Sequence, residues 1–294
     1  YGILSFLFKG SSTETELALM DQNSNINEDL SNKNAEIVVP LLGDETSPEM
    51  LVEIASSIND KSSINTINLI EVPNQTFLEA IEIDSPASES IKRRLLSLKK
   101  IKKLNLSFES IATHDVANSI DNITGQRKCK WLVLEWDGRE NSGIFIGNPI
   151  GWLLKNVNSS LALFKDNGVR SFSRILIALR PGRRNQKFID VADKICCHYN
   201  ASLTLLNIVT ENHPGTISLK KTSEDLISST KSSSELKIIE SNDPVETISE
   251  ESAGYDLLIL GTPEKDNWTR VLFGASEDKF VKTAACSVLR LTIR

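Results

Sequence analysis

The feature that most constrains this 294-residue chain is an order of strand and helix signals that occurs twice. In the first pass, buried-strand runs are expected at Glu36 to Leu42 (EIVVPLL), Ile64 to Val72, Leu106 to Ala112, Trp131 to Trp136 and Ser159 to Phe164. Such short β-branched runs bounded by turn residues suit strands buried on both faces. Helices are expected between them: from Ser47-Pro48, through a long region ending near Leu104, from Asp115 to about Ile123, and near Pro149 to Asn156. Pro at the first helical position and a polar cap before it mark two of these starts. In the second pass the strand runs are Phe172 to Leu179, Ala201 to Val209, Glu235 to Glu240, Tyr255 to Leu260 and Ser287 to Thr292. Helices are expected at Gln186 to His198, Pro244 to Ser252 and Glu277 to Thr283, and Thr216 to Ser234 is a polar segment.

Strict alternation of strand and helix implies a parallel sheet covered by helices on both faces, here as two tandem doubly wound five-stranded units. Aligning Ile37 with Ile175 gives an offset of 138, Leu132 with Leu257 gives 125, and Ser160 with Ser287 gives 127. The first copy therefore carries an insertion of about a dozen residues between its second and third strands, around the long helix. A repeat of this length is a domain duplication and is too long for a solenoid period. The expected organisation is a membrane-proximal end and polar linker over 1–34, a first subdomain over 35–167 and a second over 168–294.

Charge and composition exclude several classes of function. A net charge of -6 gives no global basic footprint, so no nucleic-acid partner is expected. No apolar run approaches the ~20 residues that span a bilayer. The chain opens on Tyr1 rather than Met, and Tyr1 to Phe8 reads as the end of a longer preceding polypeptide, with a processed or tagged protein as the alternative. Cys129, Cys196, Cys197 and Cys286, with only His114, His198 and His213 beside them, form neither a metal set nor a disulfide framework. They read as buried thiols in a reducing compartment, and no metal is expected. There is no GxSxG elbow, no Walker sequence and no triad context, so the chain is expected not to be an enzyme.

Two basic segments are candidate contact surfaces. Ile91 to Leu104 (IKRRLLSLKKIKKL) contains Lys92, Arg93, Arg94, Lys99, Lys100, Lys102 and Lys103 on a helix with an apolar face of Ile91, Leu95, Leu98 and Leu104. It suits anionic lipid headgroups or the acidic loops of an attached membrane domain; an ordinary solvated surface helix is the alternative. Arg180, Arg183 and Arg184 sit at the carboxyl end of a strand where a helix opens, a place suited to an anion or an acidic partner.

The run LLILGTPEKDNWTRVLFGASEDKFVKTAACSVLRLTI resembles the end of a universal stress protein domain. That family's nucleotide loop reads Gly, two residues, Gly, nine residues, Gly, then Ser or Thr. Gly261 and Gly274 match the first and third glycines; Glu264 replaces the second and Ala275 the hydroxyl residue, with Ser276 next to it. In the first copy Glu135 stands at the first glycine, and Gly147-Asn148 match the closing pair only after a one-residue shortening. The aspartate that contacts adenosine in the family is replaced by Leu42 and by Arg180. The resemblance thus implies the universal stress protein fold, of the adenine nucleotide alpha hydrolase-like type, with eroded phosphate loops and no bound cofactor.

Tandem degenerate units after a polar linker resemble the cytosolic C-terminal domains of transporters of the amino acid, polyamine and organocation superfamily. The runs WLVLEW (Trp131 to Trp136) and GNPIGW (Gly147 to Trp152) resemble prokaryotic cation–chloride cotransporters more than amino-acid permeases. This implies a regulatory and dimerisation domain on the cytoplasmic face of the cell membrane, part of an integral membrane protein, with its own transmembrane domain as partner, a homodimeric state and contact with the membrane surface. The alternatives are the cytosolic domain of an amino-acid permease and a free-standing tandem universal stress protein that binds ATP.

Overall fold

A computed structural model describes residues 35–43, 45–78, 81, 83, 85–136, 152–153, 156–179, 185–209, 216–261 and 282–294. Its first half runs β1 (Ile37–Leu41), α1 (Pro48–Ile58), β2 (Ile64–Glu71), α2 (Pro86–Lys102), β3 (Leu106–Thr113), α3 (Val116–Gln126), β4 (Trp131–Glu135) and β5 (Ser160–Lys165). The second runs β6 (Arg174–Ala178), α4 (Asn185–Tyr199), β7 (Ser202–Val209), α5 (Thr216–Ser228), β8 (Ser234–Glu240), α6 (Pro244–Ser252), β9 (Leu257–Gly261) and β10 (Ser287–Thr292). The helices expected at Pro149 to Asn156 and Glu277 to Thr283 lie largely outside the described residues, as does the 1–34 segment.

Local chemistry sets the helix starts. The Ser47 hydroxyl accepts from the Met50 N–H at 3.3 Å with Pro48 behind it. Asp243 accepts from the N–H groups of Val245 and Glu246, both at 3.0 Å. These are donors that a helix leaves without an internal partner. Thr216–Ser228, which reads as merely polar in sequence, is a helix. It packs on β7 and β8 because a parallel crossover must cover its sheet.

The strand order is β3-β2-β1-β4-β5-β10-β9-β6-β7-β8. Both expected five-stranded parallel sets are present, in the same order, and they are joined edge to edge into one ten-stranded sheet. The join is antiparallel: Val288 faces Lys165, Leu289 faces Phe164, Arg290 faces Leu163, Leu291 faces Ala162 and Thr292 faces Leu161. Strand registers make Trp131 the equivalent of Leu257, an offset of 126 rather than the 125 expected, and Ser160 the equivalent of Ser287. Leu161 to Lys165 are thus the counterparts of Val288 to Thr292, and the seam maps onto itself when the halves are exchanged. A pseudo-twofold axis passes between Leu163 and Arg290.

The packing is shared between the halves. On one face a single hydrophobic core runs from Ile37, Leu51 and Phe108 in the first half through Phe164 to Ile177, Ile189 and Leu289 in the second. Helices α1 and α4 lie against each other across the seam. The other face holds two smaller cores, one per half, and Trp136 packs against both.

One polar device is also duplicated. The Asn68 amide donates to the Ser88 hydroxyl on α2 at 2.8 Å, and its repeat equivalent Asn207 accepts from the Ser223 hydroxyl on α5 at 2.5 Å. Asn207 also donates to the Leu179 carbonyl at 3.0 Å. Each latch fixes a crossover helix to its own sheet through buried, mutually satisfied groups.

Asp193 on α4 holds the turn before β8. Its carboxylate accepts from the Ser232 N–H at 2.8 Å and hydroxyl at 2.7 Å, and from the Lys231 N–H at 3.0 Å. Burial raises the carboxyl, but these hydrogen bonds outweigh it and hold the group below its ordinary value. A depressed folded pKa stabilises the protein above about pH 4 and ceases to do so as the pH falls through the folded value. Asp193→Asn is therefore expected to cost roughly 1–2 kcal/mol at neutral pH, after discounting for solvent exposure, and to flatten the acid limb of the stability curve. Urea titrations at pH 7 and pH 3 check both expectations; an unchanged midpoint at pH 7 would contradict them.

Candidate functional site

In a doubly wound sheet the ligand crevice lies at the carboxyl ends of the strands where the order reverses. Here those points fall between β1 and β4 and between β6 and β9.

In the first half the crevice is occupied by the chain itself. The Leu42 N–H donates to Glu45 Oε1, and the Gly43 N–H to Glu45 Oε2 at 3.0 Å. The Thr46 N–H donates to both oxygens of Glu135, at 3.1 and 2.9 Å. Gly43 takes a φ of 95°, which bends the loop around the Glu45 carboxylate. Backbone N–H groups just ahead of a helix are ready donors for an anion. Three of them are satisfied here by two carboxylates. Sequence singles out Glu135 as the residue at the first glycine position; the structure shows what it does there. Glu45 carries no such signal, because nothing in its neighbourhood tells a turn carboxylate that folds back from one that points to water.

In the second half the equivalent of Glu135 is Gly261. A Cβ on Gly261 would lie 3.1 Å from the Leu179 side chain and 3.1 Å from two ring atoms of Phe188. Phe188 comes from the first turns of α4 and is buried. A side chain at this position would press on a ring of this chain's own core. Gly261→Ala is expected to cost about 1–3 kcal/mol as an overpacking change, read from the denaturant midpoint. A neutral result would show that Phe188 yields freely. Arg180, Arg183, Arg184, Gly274, Ser276 and Gly147-Asn148 lie outside the described residues.

The seven cations of the basic segment all lie on α2 or its cap, and they divide into two groups. Lys92 pairs with Glu89 at 3.1 Å, Arg94 with Glu49 of α1, and Lys102 with Glu53 of α1 at 3.8 Å. The Arg94 guanidinium, with its hydrogen bond to Glu49, holds that carboxyl below its ordinary value. For Arg93, Lys99, Lys100 and Lys103 no carboxylate lies within ion-pair distance among the described residues. Leu95 and Leu98 are buried beneath the helix, so the apolar face expected there packs on the sheet.

At the other end of the second half, a cavity of about 440 Å³ opens between β6–β8 and α6, lined by Arg174, Thr204, Glu235, Lys237, Glu251 and Tyr255. It holds one ion pair and one side-chain hydrogen bond to a carboxylate. Lys237 pairs with Glu251, and Thr204 donates to Glu235 at 2.9 Å. The first half has the same strand-to-helix pair with reversed polarity, Glu109 with Arg127.

Three thiols are buried, and burial pushes Cys129 and Cys286 up to about 11 and Cys196 up to about 12, which leaves them unreactive. Cys197 departs from the expectation of buried thiols, because it faces solvent on the outer side of α4. Among the described residues no three His, Cys, Asp or Glu side chains are placed to hold a metal ion. No helix among them is long and apolar enough to cross a membrane.

No protein-family model matches the sequence, and no curated protein does. Solved structures do share the fold. A universal stress protein from Archaeoglobus fulgidus DSM 4304 is 17% identical, over 89% of this chain and 97% of that one, with a TM-score of 0.62. A protein of unknown function from Pseudomonas aeruginosa PAO1 is 12% identical, over 89% and 94%, with a TM-score of 0.56. The cytoplasmic domain of a prokaryotic cation chloride cotransporter is 14% identical, over 88% and 96%, with a TM-score of 0.52. The chain has the universal stress protein fold across both halves.

Proposed function

We propose that this chain is a non-catalytic assembly module, the cytosolic regulatory and dimerisation domain of a secondary-active cation–chloride cotransporter. The observation that carries this reading is the state of the two crevices. In one, Glu45 and Glu135 take backbone N–H groups that an anion could otherwise use; in the other, the Phe188 ring lies against Gly261. A tandem universal stress protein fold whose first crevice is taken by its own carboxylates has its surface and its duplicated architecture left to act with. The likeness to a cotransporter's cytoplasmic domain, over nearly the whole of both chains, supports the same reading. Transport itself would belong to the attached membrane domain, and the cytosolic module would pair two such subunits.

Immunoblotting of fractionated source cells tests it. The expected result is a membrane-fraction band well above the size of a 294-residue chain. A band of that size in the soluble fraction alone would sink the reading. The second reading is a free-standing ATP-binding protein, favoured by the likeness to a whole universal stress protein. Calorimetric titration with ATP separates the two: saturable binding at millimolar nucleotide supports the second and counts against the first.

A further inference from the structure

The two halves are built to one plan and differ most in the connection from their second to their third strand. The repeat offset falls from 139 between Ile64 and Leu203 to 128 between Leu106 and Ser234, so the first half carries eleven extra residues there. That connection is the outermost crossover of the first half, beside β3 at the end of the described sheet. It also gathers most of the large exposed apolar side chains among the described residues. Five large hydrophobic side chains are exposed among the described residues, and four of them, Phe77 (78%), Leu78, Ile83 and Ile101 (73%), belong to it. Single exposed apolar residues need no explanation, but four in one connection do. Arg93, Lys100 and Lys103 are exposed on the same crossover and have no carboxylate partner among the described residues, on a chain whose net charge is -6. The corresponding crossover of the second half, through α5, has Lys220 paired with Glu224 at 3.9 Å, one further exposed cation on that helix, Lys221, and no large exposed hydrophobic side chain among the described residues.

We propose that the β2-to-β3 crossover is a surface that docks on anionic lipid headgroups. The outward cations Arg93, Lys100 and Lys103 meet the phosphate-rich plane, while Phe77 and Ile101 enter the boundary between headgroups and acyl chains. Cations and apolar side chains on one element are the combination an interfacial contact uses, and each draws on a different part of the bilayer. Of the other cations, Lys92, Arg94 and Lys102 are already paired with carboxylates and bind α2 to α1 and to its own first turn, and Lys99 is half-buried. This inference rests on the reading above, that the chain works beside a membrane, and names the surface that would face it.

The test is co-sedimentation of the full chain with vesicles of phosphatidylcholine alone and of phosphatidylcholine mixed with phosphatidylserine. Binding is expected to the mixed vesicles only, and to weaken as salt rises. The triple variant R93Q/K100Q/K103Q is expected to bind about a hundredfold more weakly, from about 1 kcal/mol for each cation and tenfold for each 1.4 kcal/mol. F77S/I101S is expected to lose the part of the binding that survives high salt. All five positions are exposed, so unchanged melting curves confirm that the variants fold. Equal binding to both vesicle types, no binding to either, or an unaffected triple variant would overturn the proposal. Capture by poly-glutamate without vesicle binding, lost in the triple variant, would overturn it in favour of an acidic protein partner. Membrane-fraction size reads the wider reading separately: a large membrane-bound chain with no vesicle binding removes the lipid contact alone.

Discussion

Residues 35–167 and 168–294, produced as separate polypeptides, are expected not to give two stable monomers, whereas the intact chain is expected to unfold in one cooperative transition. The reason is the core that runs beneath both halves from Ile37 to Leu291 and the packing of α1 on α4. Cutting there bares apolar surface on each piece and leaves β5 and β10 as open edges, each paired on one side only. The pieces should fail differently. A first half pairing with its own copy would place Leu163 against Leu163 on the pseudo-twofold axis; a second half would place Arg290 against Arg290. Arg290 is 4% exposed, and like charges directly opposed across buried strands are destabilising. The first piece is expected to self-associate, the second to remain unassembled, and the mixture to reconstitute the parent. R290L should relieve the second piece. Calorimetry on the parent and sedimentation of the pieces check this, and two separate transitions in the parent would refute it.

Phe164→Ala is expected to cost about 3–5 kcal/mol, the largest effect of any single change considered for this chain. Phe164 is fully buried, faces Leu289 across the seam and sits in the shared core. Its carbonyl also accepts from the Trp136 N–H at 2.8 Å, so the strand cannot readily shift to fill the void. Removing the ring subtracts its transfer free energy and leaves a cavity at the one line where both halves meet. The check is a urea titration with unchanged slope and a lowered midpoint. Leu289→Ala in the same background should be non-additive, since the two side chains share that space. A loss below about 1 kcal/mol would mean that the seam adds little to stability.

The strands were readable because residues such as Ile37 to Leu41 and Leu257 to Ile259 are apolar on both faces, which only a covered parallel sheet permits. The eroded loops were readable as departures from a glycine pattern. What filled them was not, because Thr46 and Glu135 are 89 positions apart and Gly261 meets a ring from position 188. Nor was the seam, since an apolar strand such as β10 suits an edge that pairs within the chain as well as one that pairs between chains. Helix ends were blurred for a local reason. Lys103, Lys128 and Asn200 take the left-handed conformation after α2, α3 and α4, where a glycine would have marked the stop. Helix α5 was hidden by its composition, with Ser223 as its deeply buried anchor.

The antiparallel seam turns the second half end for end relative to the first while keeping both on the same side of the sheet. The strand ends beside Glu45 and Glu135 and the strand end at Gly261 therefore face opposite directions. The two ends are joined through the packing of Phe164, Leu289 and the α1–α4 contact. The continuous sheet fixes the two like ends at opposite poles of one body.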